Sequence, residues 1–353
     1  MKQLVYRWVF NYLLIIVLLV SSSFARADSE KRKSINKAYK VSGATAVQLS
    51  NSFGKMHVET WDKNEVKVDI EIIVRATTDD RAQDLLDKIN IEIDDGNPES
   101  NLSFSTSISN NKSGRQTSFE INYNVSMPKA NSLDLKNSFG DVYVSDLSGD
   151  TDINVQYGNL KAGRLTGNND VRLSFGSGFS EIDAMDKGDL KVSYSKLGVE
   201  EIGVLDVNSS FSTFETDKAG TIELVAKYGE VDIGEIDVLE ADVNFSTFML
   251  GKVNKSLVLD IDYGGSLEIG VSKSVQLFDI ESSFGPVNIE LEPGINASIE
   301  ARLSFCSLRY DESQVDFNKI IKDNTSSEYS GKIGTGAGTT IKIVSKYGNV
   351  RID

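Results

Sequence analysis

Cysteine, histidine and proline are scarce in this sequence: its 353 residues include one Cys, one His and four Pro. A single cysteine, Cys306, excludes an internal disulfide, so stability must come from packing and backbone hydrogen bonds. Because Cys306 follows an aromatic residue of a repeat, the pattern favours an inert core thiol. The one histidine, His57, lies in a strand-like segment, and the chain has no G-x-S-x-G motif, which indicates a structural role. One His and one Cys do not supply the ligands of a zinc site.

Long apolar runs are also scarce, and the one present lies at the start. It spans residues 8–20, follows the basic residues Lys2 and Arg7, and precedes a small-x-small sequence at 25–27. This arrangement predicts a cleaved signal peptide over residues 1–27. The rival interpretation is a membrane anchor, which needs roughly 20 apolar residues. We therefore expect an exported protein of the periplasm, cell surface or extracellular space, with no transmembrane segment after cleavage.

Basic residues are fewer than acidic ones, 37 against 52, which gives a formal net charge of −15. The segment 1–27 carries three basic residues and no acid, so its removal takes the charge from −15 to −18. Such a surface repels nucleic acid and anionic lipid, so we expect no nucleic-acid partner.

The dominant feature of the sequence is a short repeat in which a β-type run ends at Phe or Tyr, usually followed by Gly. Ten aromatic residues that end these runs between 133 and 310 recur every 17 to 21 residues. A period of this size, built of strands and turns, predicts an all-β, parallel and right-handed β-solenoid. The predicted repeat anchors, including one copy before and one copy after that stretch, are Phe53, Gly54, Phe139, Gly140, Tyr157, Gly158, Phe175, Gly176, Tyr194, Phe211, Tyr228, Gly229, Phe245, Tyr263, Gly264, Phe284, Gly285, Phe305, Tyr347 and Gly348.

Each repeat is expected to form two short strands with a bend at the aromatic-Gly step. Glycine suits such a bend because it accepts backbone angles that a side chain would forbid. The alternation before Tyr228 places Ile222, Leu224 and Ala226 inside, and the aromatic residues are expected to stack as a ladder inside the coil. Phe and Tyr alternate almost strictly, so one coil consists either of one repeat or of two.

The rest of the chain is expected to divide into a basic leader without stable order (28–40), an N-terminal part of the solenoid (41–132) and the repeats (133–353). The N-terminal part contains an inserted strand-helix-strand section, whose helix (79–89) is capped by Thr78 or Asp79 and flanks or caps the stack. A polar loop is expected at 311–332. The last strand of the chain is then either an exposed edge or covered by that loop.

These patterns resemble the bacterial putative-adhesin β-solenoid family, which is common in Bacteroidetes and has no established function. The resemblance rests on the inserted section, the lead-in at 123–128, the Ser-Phe-Gly repeats and the ending at 341–350. It covers essentially the whole mature chain. It implies a parallel β-solenoid and an envelope location. Many relatives use Ser-Gly-Asp where this chain has Ser-Phe-Gly.

Two functions are considered from the residues. The first is a non-catalytic envelope protein, an adhesin or binding scaffold for a glycan or an envelope protein, with Trp61, Tyr143 and Tyr310 as candidate ligand-contact aromatic residues. The second is a polysaccharide-active β-helix lyase or glycosidase, which would need two carboxylates a few ångströms apart, or an acid with a Lys or Arg over one groove. Acidic residues spread evenly over the rungs favour the first, with no catalytic residue and no cofactor. Calcium is a weaker candidate, at Asp260 and Asp262 or in the turn 94–99.

Overall fold

The computed structural model describes residues 29–109 and 117–353. The predicted signal peptide therefore lies outside the described residues. Within them the chain forms strands and one α-helix, α1 (Asp79–Leu86). The strands are β1 (Ser29–Lys40), β2 (Ala46–Asn51), β3 (Met56–Trp61), β4 (Glu65–Ala76), β5 (Ile89–Asn97), β6 (Asn101–Ile108), β7 (Thr117–Pro128), β8 (Ser132–Ser138), β9 (Val142–Val144), β10 (Thr151–Gln156), β11 (Leu160–Ser174), β12 (Phe179–Ser193), β13 (Lys196–Ser210), β14 (Thr213–Lys227), β15 (Glu230–Asn244), β16 (Thr247–Asp262), β17 (Leu267–Val271), β18 (Leu277–Ser283), β19 (Val287–Leu291), β20 (Ala297–Ser304), β21 (Leu308–Tyr310), β22 (Val315–Lys322), β23 (Ser326–Ile333), β24 (Thr339–Lys346) and β25 (Val350–Ile352).

The described chain divides into two compact units. The smaller contains 29–33, 72–90, 108–109 and 117–120, and the larger contains the remaining described residues. In the smaller unit the predicted helix is confirmed as α1. The Thr78 side chain accepts a hydrogen bond from the backbone N–H of Arg81, and Ala82, Leu85 and Leu86 are buried. The helix ends at Leu86, three residues before the expected end, with Asp87 as its C-cap.

The expectation that the basic leader lacks order is wrong for residues 29–40, which form β1 and pair with β4. Two of its basic residues are paired with acids in the smaller unit. Lys31 Nζ lies 3.3 Å from Asp79 Oδ2, and Arg32 Nε donates to Glu30 Oε1 at 2.7 Å. A basic sequence can therefore be an ordered strand when acidic neighbours lie beside it.

The larger unit is a parallel β-solenoid in which one coil is one repeat. Ile153 of β10 lies beside Val171 of β11, and Leu190 of β12 lies beside Val207 of β13. Partners are thus one repeat apart along the chain, which settles the choice between one and two repeats per coil. Apolar residues at alternate positions fill the interior, and Ile222, Leu224 and Ala226 are at most 2% exposed.

Every anchor aromatic residue except Phe53 forms the corner between two strands in a left-handed backbone conformation. Eleven of them, from Phe139 to Tyr347, have φ between 50° and 61°. Their amides remain in the parallel ladder; the Tyr157 N–H, for example, donates to Ser174 O at 2.9 Å. The bend is therefore made by the aromatic residue itself, and the expectation that glycine makes it is wrong for all anchors except Gly54, whose φ is 128°.

The glycine that follows the corner residue allows successive rungs to stack closely. A Cβ added to Gly140 would lie 1.9 Å from the carbonyl oxygen of Gly54, and one added to Gly158 would lie 2.0 Å from that of Gly140. Where the chain has serine at this position, the hydroxyl bonds to backbone groups: Ser195 Oγ accepts from Gly176 N and donates to Ser193 O, both at 2.9 Å. Only small residues fit between successive rungs here.

The anchor rings form a ladder on the outside of the coil, which corrects the expectation that they lie inside. Neighbouring ring centroids are 4.5–5.2 Å apart, and their planes lie within 11° of parallel. The eleven rings with positive φ are 46–59% exposed. The left-handed angle takes each ring out of the inward alternation of the preceding strand and turns it to solvent.

The order of rungs in space differs from the order in sequence at both ends. Near the C-terminus β24 pairs in parallel with β18 on one side and β20 on the other, so Tyr347 stacks between Phe284 and Phe305. The last strands are thus interior, neither an exposed edge nor covered by the predicted loop. That loop instead forms β22 and β23, an antiparallel pair whose second strand lies along β20. At the other end, β6 and β7 pair in parallel with β2 and β3.

Candidate functional site

An open groove of about 510 Å³ lies on the outer face of the N-terminal rungs of the larger unit. We call it the Tyr143 groove. It is built on a column of outward-facing positions in successive rungs, which His57, Tyr143 and Lys161 each reach at the fourth residue after their anchor. Strand pairing places these side chains side by side, in the spatial order Asn124, His57, Tyr143, Lys161 and Glu181.

Two exposed aromatic rings provide the apolar part of the Tyr143 groove. Tyr143 is 36% exposed and stacks on His57, with ring centroids 4.4 Å apart and planes 21° apart. Phe179 is 46% exposed and lies over Gly198, where a Cβ would be 3.0 Å from its ring. The missing side chain at Gly198 therefore makes room for Phe179.

Polar groups of the Tyr143 groove are mostly held by neighbours. Asp141 Oδ1 accepts two hydrogen bonds from Asn159, each 3.0 Å, and the Asn159 side-chain oxygen accepts from Gly178 N at 2.8 Å. Lys161 Nζ lies 3.1 Å from Glu181 Oε2, and this hydrogen bond to Glu181 raises the pKa of Lys161. Charge in the groove is thus largely paired, and its side chains are fixed on strands. Such a surface fits a neutral polar ligand better than an ion.

Of the three aromatic residues singled out in the sequence, the structure places only Tyr143 in the groove. Trp61 is half-buried, its Nε1 donates to Glu65 O at 2.7 Å, and Lys63 Nζ lies 4.3 Å from its ring centroid. Tyr310 is half-buried with an edge-to-face contact to Phe317 at 4.7 Å. Both rings are thus partly buried in contacts with the protein itself.

Sequence reasoning missed the groove-facing position of His57 and the groove residue Phe179. His57 is half-exposed in a strand, and its Nε2 lies 2.8 Å from Glu59 Oε1. The signal for His57 lies in the repeat register, because His57, Tyr143 and Lys161 are each four residues after an anchor and pair side by side. Phe179 lies outside this register: Glu181 pairs with Lys161, and Phe179 pairs with Lys196. Cys306 is half-buried beside Ser345 O, at 3.5 Å, rather than within the core.

The calcium candidates gain no support from the geometry. No group of three or more His, Cys, Asp or Glu residues that could hold a metal ion occurs in residues 29–109 and 117–353. The Asp260 residue is exposed overall, but partial desolvation of its carboxyl group, and then the charges of Asp262, Glu281 and Asp242, raise its pKa. These acids behave as a mutually repelling column of outward side chains. Asp94 and Asp95 in the other candidate turn are also exposed.

Comparison with known proteins gave similar solved structures only. No family model and no curated protein matches the chain. A putative cell adhesion protein from Clostridium sporogenes is 12% identical, with 91% of this chain and 99% of that chain covered and a TM-score of 0.20. A putative adhesin from Bacteroides fragilis is 12% identical, with 91% and 97% covered and a TM-score of 0.27. One from Parabacteroides distasonis is 10% identical, with 93% and 98% covered and a TM-score of 0.29. At such TM-scores the likeness does not by itself establish a shared function.

In the described part of the chain, the helix present is too short and too polar to cross a membrane.

Proposed function

We propose that this protein is a non-catalytic, exported cell-envelope protein of the adhesin type that binds a glycan in the Tyr143 groove. The observation that carries the proposal is the combination of two exposed aromatic rings, Tyr143 and Phe179, with amide side chains in a groove of about 510 Å³. Ligand sites of a few hundred Å³ typically join aromatic surface to a few placed polar groups. Amide groups supply both donors and acceptors, which sugar hydroxyl groups require.

Rigid support favours binding at this position. The groove residues lie on parallel strands whose inward neighbours Met56, Val142 and Leu160 are at most 2% exposed. Side chains on such strands lose little freedom when a ligand binds, which lowers the entropic cost of association.

The arrangement of the acidic side chains in the Tyr143 groove supports a non-catalytic protein. A glycosidase needs two carboxyl groups aimed at one glycosidic bond. Of the three acids that line the groove, Asp141 receives hydrogen bonds from Asn159 and Glu181 is paired with Lys161. A lyase would need Lys161 as a base, but the hydrogen bond to Glu181 raises the pKa of Lys161 and keeps it protonated. Export is supported by the predicted signal peptide, and the acidic surface disfavours polyanionic ligands.

The test is a glycan array and envelope pull-down with the purified protein, Tyr143→Ala, Phe179→Ala and the control Met249→Ala. Met249 is exposed and is also the fourth residue after its anchor, but it lies several rungs from the groove. We expect the protein and Met249→Ala to retain the same glycan and the groove variants to lose it. Retention of the glycan by all four proteins would refute glycan binding in the Tyr143 groove. Shortening of the retained glycan would refute the absence of catalysis.

A further inference from the structure

The exposed aromatic ladder, defined as the eleven rings from Phe139 to Phe305 in spatial order, has no role in the Tyr143 groove. It extends over ten steps of 4.5–5.2 Å, about 50 Å in all. Turn geometry does not require these residues, because Gly or Asn occupies the left-handed conformation with less strain. A chain that nevertheless places Phe or Tyr at every corner keeps a long apolar ridge in contact with water. Contiguous apolar surfaces of this size mark interaction sites.

We infer that the exposed aromatic ladder is a dimerisation surface, which pairs with the same ladder of a second copy running antiparallel to it. The first argument is the period. Rungs of both copies repeat at the same strand spacing, so each ring along the ridge can meet a ring of the partner. Paired β-stacks form dry interfaces from identical stacked side chains in this way. The stacked rings cover each other's faces, so a sugar would find only ring edges.

The second argument is the order of Phe and Tyr in space. Along the sequence the alternation fails, because Phe284 is followed by Phe305. The insertion of Tyr347 between them restores it, so the eleven rings alternate strictly from Phe139 to Phe305 with Tyr228 at the centre. Counted over these eleven rings, which leave out the less exposed Phe53 stacked on Phe139 at 5.2 Å, the order reads the same in both directions. A twofold interface needs a self-complementary patch, and an antiparallel copy centred on Tyr228 brings each Tyr hydroxyl to another Tyr hydroxyl.

The third argument is area and charge. An aromatic side chain buries 150–250 Å² when covered, so rings about half exposed leave about 100 Å² each, or about 1,100 Å² per copy. A standard interface needs about 800 Å² per partner. Among the residues directly before and after the eleven rings, only Lys227, Asp262 and Lys346 are charged. The ridge can therefore be covered without desolvating many charges, although the protein as a whole is acidic.

The test is sedimentation velocity of the purified protein over a wide range of concentrations. The key variant carries Phe211→Asn, Tyr228→Asn and Phe245→Asn, since Asn tolerates the left-handed conformation and keeps the corners intact. The control is Val204→Asn, which removes an apolar side chain that is 56% exposed and outside the ladder. We expect a dimer for the protein and the control. In the triple variant we expect dimerisation weaker by about thirtyfold or more.

Cysteine cross-linking in a Cys306→Ser background tests the antiparallel arrangement. With a bis-maleimide reagent that spans the interface, each thiol adding to one maleimide ring, Tyr228→Cys should cross-link to its own copy, whereas Phe175→Cys should cross-link to Phe284→Cys and not to itself. Circular dichroism confirms that each variant is folded. A monomer at all concentrations, an unchanged dimer in the folded triple variant, or self-cross-linking at position 175 would overturn the inference. If the unmodified protein is monomeric and the triple variant no longer retains the glycan, the inference is also overturned, and the ladder is then a glycan-binding surface.

Discussion

Replacement of Gly158 by alanine tests the close stacking of the corners. The new Cβ would lie 2.0 Å from Gly140 O, whereas ordinary contact begins at 3.4 Å. The two rungs must therefore separate locally by more than 1 Å. Backbone hydrogen bonds cross this contact on both sides, donated by Phe139 at 2.9 Å and by Val142 at 2.8 Å, and neither can lengthen that far.

The magnitude follows from these two effects. Two lost backbone hydrogen bonds cost about 0.5–1.5 kcal/mol each, and forcing extra volume into a packed site costs about 1–3 kcal/mol. We expect Gly158→Ala to lower the free energy of unfolding by about 2–6 kcal/mol in urea denaturation followed by circular dichroism.

Gly265→Ala is the matched control, because nothing lies within 4 Å of its added Cβ and its φ is not left-handed. At such a position alanine stabilises by about 0.4–1 kcal/mol through the unfolded state. Equal denaturation midpoints for the two variants would refute the explanation of glycine at the corner.

Two further predictions concern the acidic column and the C-terminal rung. The pKa of Asp260 in the folded protein is raised above 3.8, so its ionisation penalty is absent well below that pH and grows above it. Asp260→Asn should therefore stabilise the protein by roughly 0.2–1 kcal/mol at neutral pH in urea denaturation, and a gain that persists at pH 3 would contradict this. Deletion of 339–353 removes β24 and β25 from between two rungs, so limited proteolysis should cut rapidly within 297–333. Unchanged resistance there would show that the deleted rung is terminal in space.

The sequence alone predicted the repeat, the β class and the positions of the corners, because the period of 17 to 21 residues and the inward alternation can be read within single repeats. It was not sufficient for the side on which the rings lie. Counting by twos from Ile222 places Tyr228 inside, and only the left-handed angle at Tyr228 turns the ring outward. Whether glycine or the aromatic residue takes that angle depends on how closely the rungs approach, which is a property of the stack.

Spatial order was hidden for a related reason. Strand pairing decides which rungs are neighbours, and a rung at the end of the chain can enter the stack at an interior position, as Tyr347 does. The broken alternation at Phe284 and Phe305 was the available signal, because Tyr347 is the residue that restores it. The groove was partly predictable: Tyr143 was identified from its place after an anchor, whereas Phe179 depends on the empty space above Gly198.

The most direct test of the proposed function is a calorimetric titration of the retained glycan into the protein, Tyr143→Ala and Met249→Ala. Truncation of an aromatic residue at the centre of a binding site costs about 2 kcal/mol or more, which corresponds to an increase in Kd of about thirtyfold. We predict this weakening for Tyr143→Ala and an unchanged Kd for Met249→Ala. The same Kd for all three proteins would contradict glycan binding in the Tyr143 groove.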